Sequence, residues 1–254
     1  MVNPMNFPFV LFVLSFLLMW GTAQVGARLS QGMQELKSEE RADFGFVIGA
    51  TLTLLGLIIG FSFSMAVGRY DQRKNYEEEE ANAIGTEYVR AELLPPADAQ
   101  AVQALLRQYL DLRIVFYNVR YGAPLEHIDA DTARLQNEMW SAVKAPALAQ
   151  PTPVTALVVS GMNDVLNRQG YTQAAWWNRI PVAAWGLMFL ISIFCNVLLG
   201  MATRPDKRRH LLLMIMPLVV SISFLLLADL DSPRGGIIRV HPQNLLSLAR
   251  SLHQ

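Results

Sequence analysis

Three sets of side chains in this sequence could do more than pack. The first is Glu77, Glu78, Glu79 and Glu80, four consecutive carboxylates. Spread around a helix, they could attract a cation or line a charged vestibule; they could also be a solvated face, the commoner fate of a charge run. A hard-cation site needs carboxylates converging with carbonyl oxygens, and the spacing of an EF-hand loop is absent. The second set is Arg69 with Asp229 and Asp231. Each acid lies at the end of an apolar stretch, where it requires a partner, and Arg69 closes another such stretch. A pair between them would fasten two helices; the alternative is that all three face headgroups and water. The third is a stripe of small residues, Gly45, Gly49, Thr53, Gly56, Gly60, Ser64 and Gly68, recurring every three or four positions. In lipid, helices associate through close packing, and small residues let backbones approach. Gly49, Gly56, Gly60 and Ser64 therefore read as helix-packing positions, either in a seam within one subunit or in a helix ringed by copies of itself.

Reactive constellations are missing. There is no HExxH, GxSxG, P-loop or strand-bound GxGxxG. His127, His210, His241 and His253 are scattered, and Cys195 is the only cysteine, so no intrachain disulfide forms. No enzyme activity, metal or cofactor is expected. The net charge of zero offers no basic face for nucleic acid.

The elements that must position these residues are read from hydropathy. Hydrophobic residues make up 52% of 254 and the mean hydropathy is +0.27, but the distribution decides more than the average. Four stretches lack charge: Phe7 to Val25, Phe44 to Val67, Ile180 to Thr203 and Leu211 to Ala228. Roughly 20 apolar residues cross a bilayer core, so all four read as membrane spans, the fourth barely. No Lys or Arg precedes the first, which argues for a retained helix over a cleaved leader. The expected fold is an all-α membrane protein with four transmembrane helices in two pairs around a helical soluble middle. Residues 1–68 form the first pair, 69–179 the soluble domain, 180–228 the second pair and 229–254 a C-terminal segment.

Within the middle, no breaker separates the second span from the polar run through Leu94, so one helix is expected to continue until Pro95 and Pro96 end it. Val102, Leu105, Leu106, Tyr109, Leu112, Phe116 and Val119 share a face of the next helix. A further helix is expected over about 128–143, a proline-punctuated loop at 144–153, and another helix over about 154–167. Trp176 and Trp177 precede the third span, where an interfacial belt belongs. No stretch alternates with the period of a strand.

Parity places both termini and the middle on one side. Basic residues do not say which side. Arg28, Lys37, Arg41, Arg204, Lys207, Arg208 and Arg209 flank one side, and Arg69, Arg73, Lys74, Arg168, Arg179, Arg234 and Arg239 the other, seven against seven.

Leu57-Ile58-Ile59-Gly60-Phe61, with Arg69 eight residues after Phe61, resembles the second transmembrane helix of bestrophin channels. Asp229-x-Asp231-x-Pro233, followed by Asn244-Leu245, resembles the exit of the bestrophin fourth helix. More closely, EEANAIGTEYVRAELLP together with LADLDSPRGG is similar to a bacterial bestrophin-like domain family of unknown function, over nearly the whole chain. The channel resemblance implies a homopentamer in the lipid bilayer of the bacterial inner membrane. It implies inorganic ions as the permeating species and a cytoplasmic middle domain and termini. It carries the hydrophobic pore constriction onto Thr53, Leu57 and Phe61, although Thr53 is polar and only Phe61 is aromatic. No counterpart of the acidic calcium clasp of animal bestrophins is found, so calcium gating is not expected. The Glu77–Glu80 run would lie near the inner vestibule. The rival reading is a non-conducting membrane scaffold or sensor whose middle domain binds a protein.

Overall fold

The computed structural model describes residues 6–32, 38–203 and 209–252. Lys37, Arg204, Lys207 and Arg208, counted above for orientation, lie outside them. Eight α-helices are described: α1 (Pro8–Gly32), α2 (Ser38–Arg90), α3 (Pro96–Asn118), α4 (Ala123–Ala149), α5 (Pro153–Trp177), α6 (Val182–Ala202), α7 (Arg209–Asp231) and α8 (Gln243–Leu252). No strand occurs among the described residues. Four helical stretches are long and apolar enough to cross a membrane. The chain divides into two compact units, Met1–Gly68 with Arg179–Ile238, and Arg69–Asn178 with Arg239–Gln254. The 229–254 segment is thus shared between them.

The first unit is the membrane unit. α1 buries Leu11, Ser15, Met19, Ala23 and Ala27, one residue per turn on one face. That face is small toward its C-terminal end, and there α6 comes into backbone contact. A Cβ on Gly200 would lie 2.1 Å from the Ala23 carbonyl oxygen, and one on Gly26 would lie 2.1 Å from that of Val197. α6 and α7 are joined by aromatic packing: the Phe224 ring lies 4.9 Å from Phe189 and 5.8 Å from Trp185, both edge-on. α7 runs to Asp231, three residues past its apolar run. The outward sides carry Leu14, Leu17, Leu187, Leu190, Phe194, Leu218 and Val219 exposed. In water such a surface would be a liability; facing acyl chains it is matched.

The second unit holds the rest of α2, then α3, α4, α5 and α8. Its core draws Val102, Leu106, Tyr109 and Phe116 from α3, Leu135, Met139 and Val143 from α4, and Val158, Met162 and Val165 from α5. The spacings of three, four and seven are those of one helix face. The α2–α3 corner follows from chemistry: a 3-10 turn at Ala91–Leu93 ends α2, and Pro96 occupies the first turn of α3, where no N–H is needed. Gly122, at φ 111°, allows the reversal into α4.

Three boundaries of the soluble unit differ from the sequence reading, the first being that α4 begins at Ala123, ahead of the expected 128. α4 continues through Lys144 and Pro146 to Ala149, so the break is confined to Gln150–Thr152. An internal proline costs about 3 kcal/mol; burial of Val143 and Pro146 offsets it. α5 extends ten residues past Asn167, because Thr172, Ala175 and Trp176 continue its buried face. Its start is set by a capping box: Thr152 Oγ1 accepts from Thr155 N–H, and Thr155 Oγ1 accepts from Thr152 N–H.

Candidate functional site: the second helix

α2 is 53 residues long and presents different surroundings on its two sides. Within the membrane unit its buried side is Leu55, Ser62 and Ala66. The opposite side bears Thr53, Leu57 and Phe61, and the last two are 54% and 66% exposed. A Cβ added at Gly49, Gly56, Gly60 or Gly68 would meet no atom within 4 Å. Ser64 is exposed as well. Among the described residues the stripe of small residues is therefore not the seam of a packed pair. Thr53 does not break the apolar face, because its hydroxyl donates to the Gly49 carbonyl at 2.9 Å and so needs no water. The packing that brings glycines against backbone lies elsewhere, at Gly26 and Gly200.

The Glu77–Glu80 run is divided by the helical repeat. Glu77 and Glu80, three apart, are 1% and 0% exposed and face into the second unit. Glu77 caps α8: its carboxylate accepts from Asn244 N–H at 2.9 Å, Leu245 N–H at 3.0 Å and Asn244 Nδ2 at 2.7 Å. The two backbone N–H groups are free donors of the first turn of a helix, where a negative charge also meets the favourable end of the dipole. Glu80 forms a fully buried ion pair with Arg113, and accepts from the Tyr117 hydroxyl at 3.3 Å and the Thr172 hydroxyl at 3.2 Å. Burial opposes the Arg113 cation, but the Glu80 carboxylate together with the Tyr109 and Tyr117 phenols outweighs it and holds the guanidinium above its ordinary pKa. Burial, reinforced by Glu80, pushes the Tyr117 phenol well up. Arg113 also lies 4.1 Å from the centre of the Phe116 ring. Glu79 bonds Arg168 at 2.6 Å on a half-exposed edge. Glu78 alone of the four is exposed with no bond among the described residues.

Sequence reasoning did not pair these carboxylates with Arg113, Tyr117, Thr172, Arg168 or Asn244. One signal was legible: Arg113 falls on the same α3 face as Val102, Leu106, Tyr109 and Phe116, and a cation on an apolar face requires a buried acid.

Asp229 and Asp231 organise the chain leaving α7. Asp229 is 6% exposed and accepts from Ile237 N–H at 2.7 Å and Ile238 N–H at 3.1 Å. Asp231 accepts from Ile180 N–H at 2.9 Å, tying this turn to the start of the third span. Ser232 Oγ accepts from Gly235 N–H at 3.0 Å. Gly236 has φ 77°, and a Cβ there would lie 1.4 Å from Asp229 Oδ1, so only glycine closes the turn. The Asp-Leu-Asp-Ser-Pro-Arg-Gly-Gly motif is thus a self-bonded reversal. Backbone donors reach both carboxylates.

Among the described residues no three His, Cys, Asp or Glu converge as a metal site. The arrangement is a helix anchored along one side by carboxylates and apolar residues, and open along the other within the membrane.

Comparison with known proteins agrees with this architecture. The family described as Bestrophin-like domain matches residues 9–245. No match is found among curated proteins. Among solved structures, a bacterial bestrophin homologue from Klebsiella pneumoniae is similar at 15% identity and TM-score 0.65, covering 96% of each chain. A tyrosine-to-alanine variant of a Klebsiella pneumoniae bestrophin homologue gives TM-score 0.66 at 15% identity, over 95% of this chain and 97% of that one. A tryptophan-to-alanine variant gives 0.64 at 16%, over 95% of each. The all-helical bestrophin fold is shared, and the chain belongs to the bestrophin-like family.

Proposed function

We propose that this chain is the subunit of an oligomeric ion channel of the bacterial inner membrane, a homopentamer whose pore is lined by α2. One observation supports it best. Among the described residues the apolar, glycine-flanked face of α2 meets no partner in its own subunit, and only 6% of the helix's most apolar 18-residue window is buried. A ring of α2 helices would close that face, with Gly49, Gly56, Gly60 and Ser64 at subunit seams and Thr53, Leu57 and Phe61 narrowing the lumen. A narrow apolar ring expels water and holds a pore shut. Glu78, the exposed member of its run, is the carboxylate assigned to the inner vestibule. Arg69 pairs with Asp229 or Asp231 as a fastener in this reading.

The membership of the bestrophin-like family and the resemblance to bestrophin channels support a cytoplasmic soluble unit and cytoplasmic termini. A cysteine placed at Asn118 should resist labelling from outside; labelling there would reverse the orientation. The decisive experiment is ion flux in liposomes with assembly checked by size. Leu57→Ala and Phe61→Ala widen and wet the constriction and should raise flux over the wild type. If both assemble normally and conduct no more than background across ions and voltages, the channel reading fails and the scaffold reading replaces it.

A further inference from the structure

Glu87 stands apart from the other buried carboxylates of α2. Glu77 and Glu80 have hydrogen-bond donors on their oxygens. Glu87 is fully buried, and neither of its carboxyl oxygens has a hydrogen-bond partner among the described residues. It faces α5 at Gly161. A Cβ on Gly161 would lie 1.9 Å from Glu87 Oε2 and 2.6 Å from Arg90 Nη1. The missing side chain therefore makes a notch in α5, and the Glu87 carboxyl and the Arg90 guanidinium fill it. Next to the notch is a polar cavity of about 370 Å³, lined by Glu79, Asn82, Thr86, Arg90, Asp164 and Arg168.

The charged groups around Glu87 pull in opposite directions. Arg90, from α2 itself, favours the carboxylate, and Asp164, from α5, disfavours it. Arg168 of α5 is bonded to Glu79 at 2.6 Å, and Arg107 of α3 donates to the Tyr88 hydroxyl at 2.7 Å, so both are engaged elsewhere. Burial dominates, and it pushes Glu87 up to about 8. An ionised carboxylate with no donor is costly in such a site, whereas the neutral acid is tolerated.

We propose that Glu87 is a proton-operated latch in the seam between α2 and α5, seated in the Gly161 notch as a neutral acid and released when it loses its proton. On ionisation the bare carboxylate draws water from the adjoining cavity, and the seam loosens. The latch stands on the geometry of the soluble unit. Its effect on ion flow rests additionally on α2 lining a pore.

Linkage sets the sign of the test. An unfolded glutamate ionises near 4.5 while the folded Glu87 holds its proton to about 8. Between those values only the native state carries the proton, so this group's contribution to stability falls as pH rises and levels off above about 8. Full-length protein in detergent is followed by thermal unfolding and by hydrogen–deuterium exchange of the Gly161 turn from about pH 5 to about pH 9. Wild type should lose stability and protection across this range. Glu87→Gln, which keeps the shape of the neutral acid, should remove that part of the pH dependence. Asp164→Asn should shift the loss to lower pH and Arg90→Gln to higher pH. These two variants decide the matter if Glu87→Gln does not fold. A Glu87→Gln profile parallel to wild type, or midpoints unmoved in both neighbour variants, overturns the latch. If the stability profile responds as expected but flux in liposomes shows no matching pH dependence, the latch stands and its coupling to a pore is overturned.

Discussion

The two halves of α2 are built on opposite plans, although no break separates them. From Arg69 to Arg90 the helix is held by its own chain: Glu77 caps α8, Glu80 is enclosed by α3 and α5, and Ile84 is fully buried. Within the membrane, its most apolar 18-residue window is 6% buried, against 28% for α1 and 50% for α7. The glycines make the same contrast within one unit. Gly26 and Gly200 are pressed against backbone, whereas Gly49, Gly56 and Gly60 face open space. A helix that carries several glycines forgoes about 1 kcal/mol at each relative to alanine. At Gly26 and Gly200 the return is close packing inside the subunit. At Gly49, Gly56 and Gly60 no such packing occurs among the described residues, which is why the oligomer is central to the proposed function.

The contrast can be broken at either end. The largest effect is expected in the anchored half. Arg113→Met leaves Glu80 as a buried charge without its cation, and should cost about 3–5 kcal/mol. Thermal unfolding of the purified protein reads this directly. The double change with Glu80→Leu should recover much of the loss; a single variant as stable as wild type would show that the pair anchors nothing. Next is the closed glycine seam. Gly200→Leu forces a side chain into the Ala23 and Ala27 backbone, which cannot yield as a side chain could. A cost of about 3 kcal/mol, at the upper end for overpacking, is expected, seen as lost yield of folded subunit.

The open stripe should behave in the opposite way. Gly60→Leu adds a side chain where the subunit has space, so the subunit itself should lose no stability and should gain up to about 1 kcal/mol of helix propensity. Assembly should fail, because backbone approach between neighbouring helices is blocked; size in mild detergent checks it. Loss of folded subunit, with no change in size of what remains, would mean that the stripe packs within the chain after all. The smallest effect is expected at Arg69. Asp229 and Asp231 already have backbone donors, so a pair with Arg69 adds to a satisfied turn and should be worth about 1 kcal/mol or less where water reaches it. Arg69→Glu combined with Asp229→Arg or Asp231→Arg should regain part of the yield lost by Arg69→Glu alone. No recovery with either partner separates the residues.

Local signals settled a good deal of this molecule. Four uncharged stretches announced four helices long enough to span, because crossing a bilayer demands an apolar run whatever surrounds it. The continuation of α2 beyond the membrane and its end at the Pro95-Pro96 corner follow from the absence of a breaker and then its presence. The α3 face was legible from its period. The proline-punctuated 144–153 stretch was misread, since Pro146 is a local helix breaker that only burial overrides.

What the carboxylates do was decided by tertiary structure. Glu80 meets Arg113 from 33 positions away and Thr172 from 92, Glu79 meets Arg168 from 89, and Glu77 meets Asn244 from 167. No local pattern encodes such partners, because charge pairing depends on which helix faces arrive together. The glycine stripe shows the same division. Its period was plain in the sequence, but period alone cannot distinguish a closed seam from an open one. That depends on whether another backbone lies against it, as at Gly26 and Gly200, or not, as at Gly49, Gly56 and Gly60.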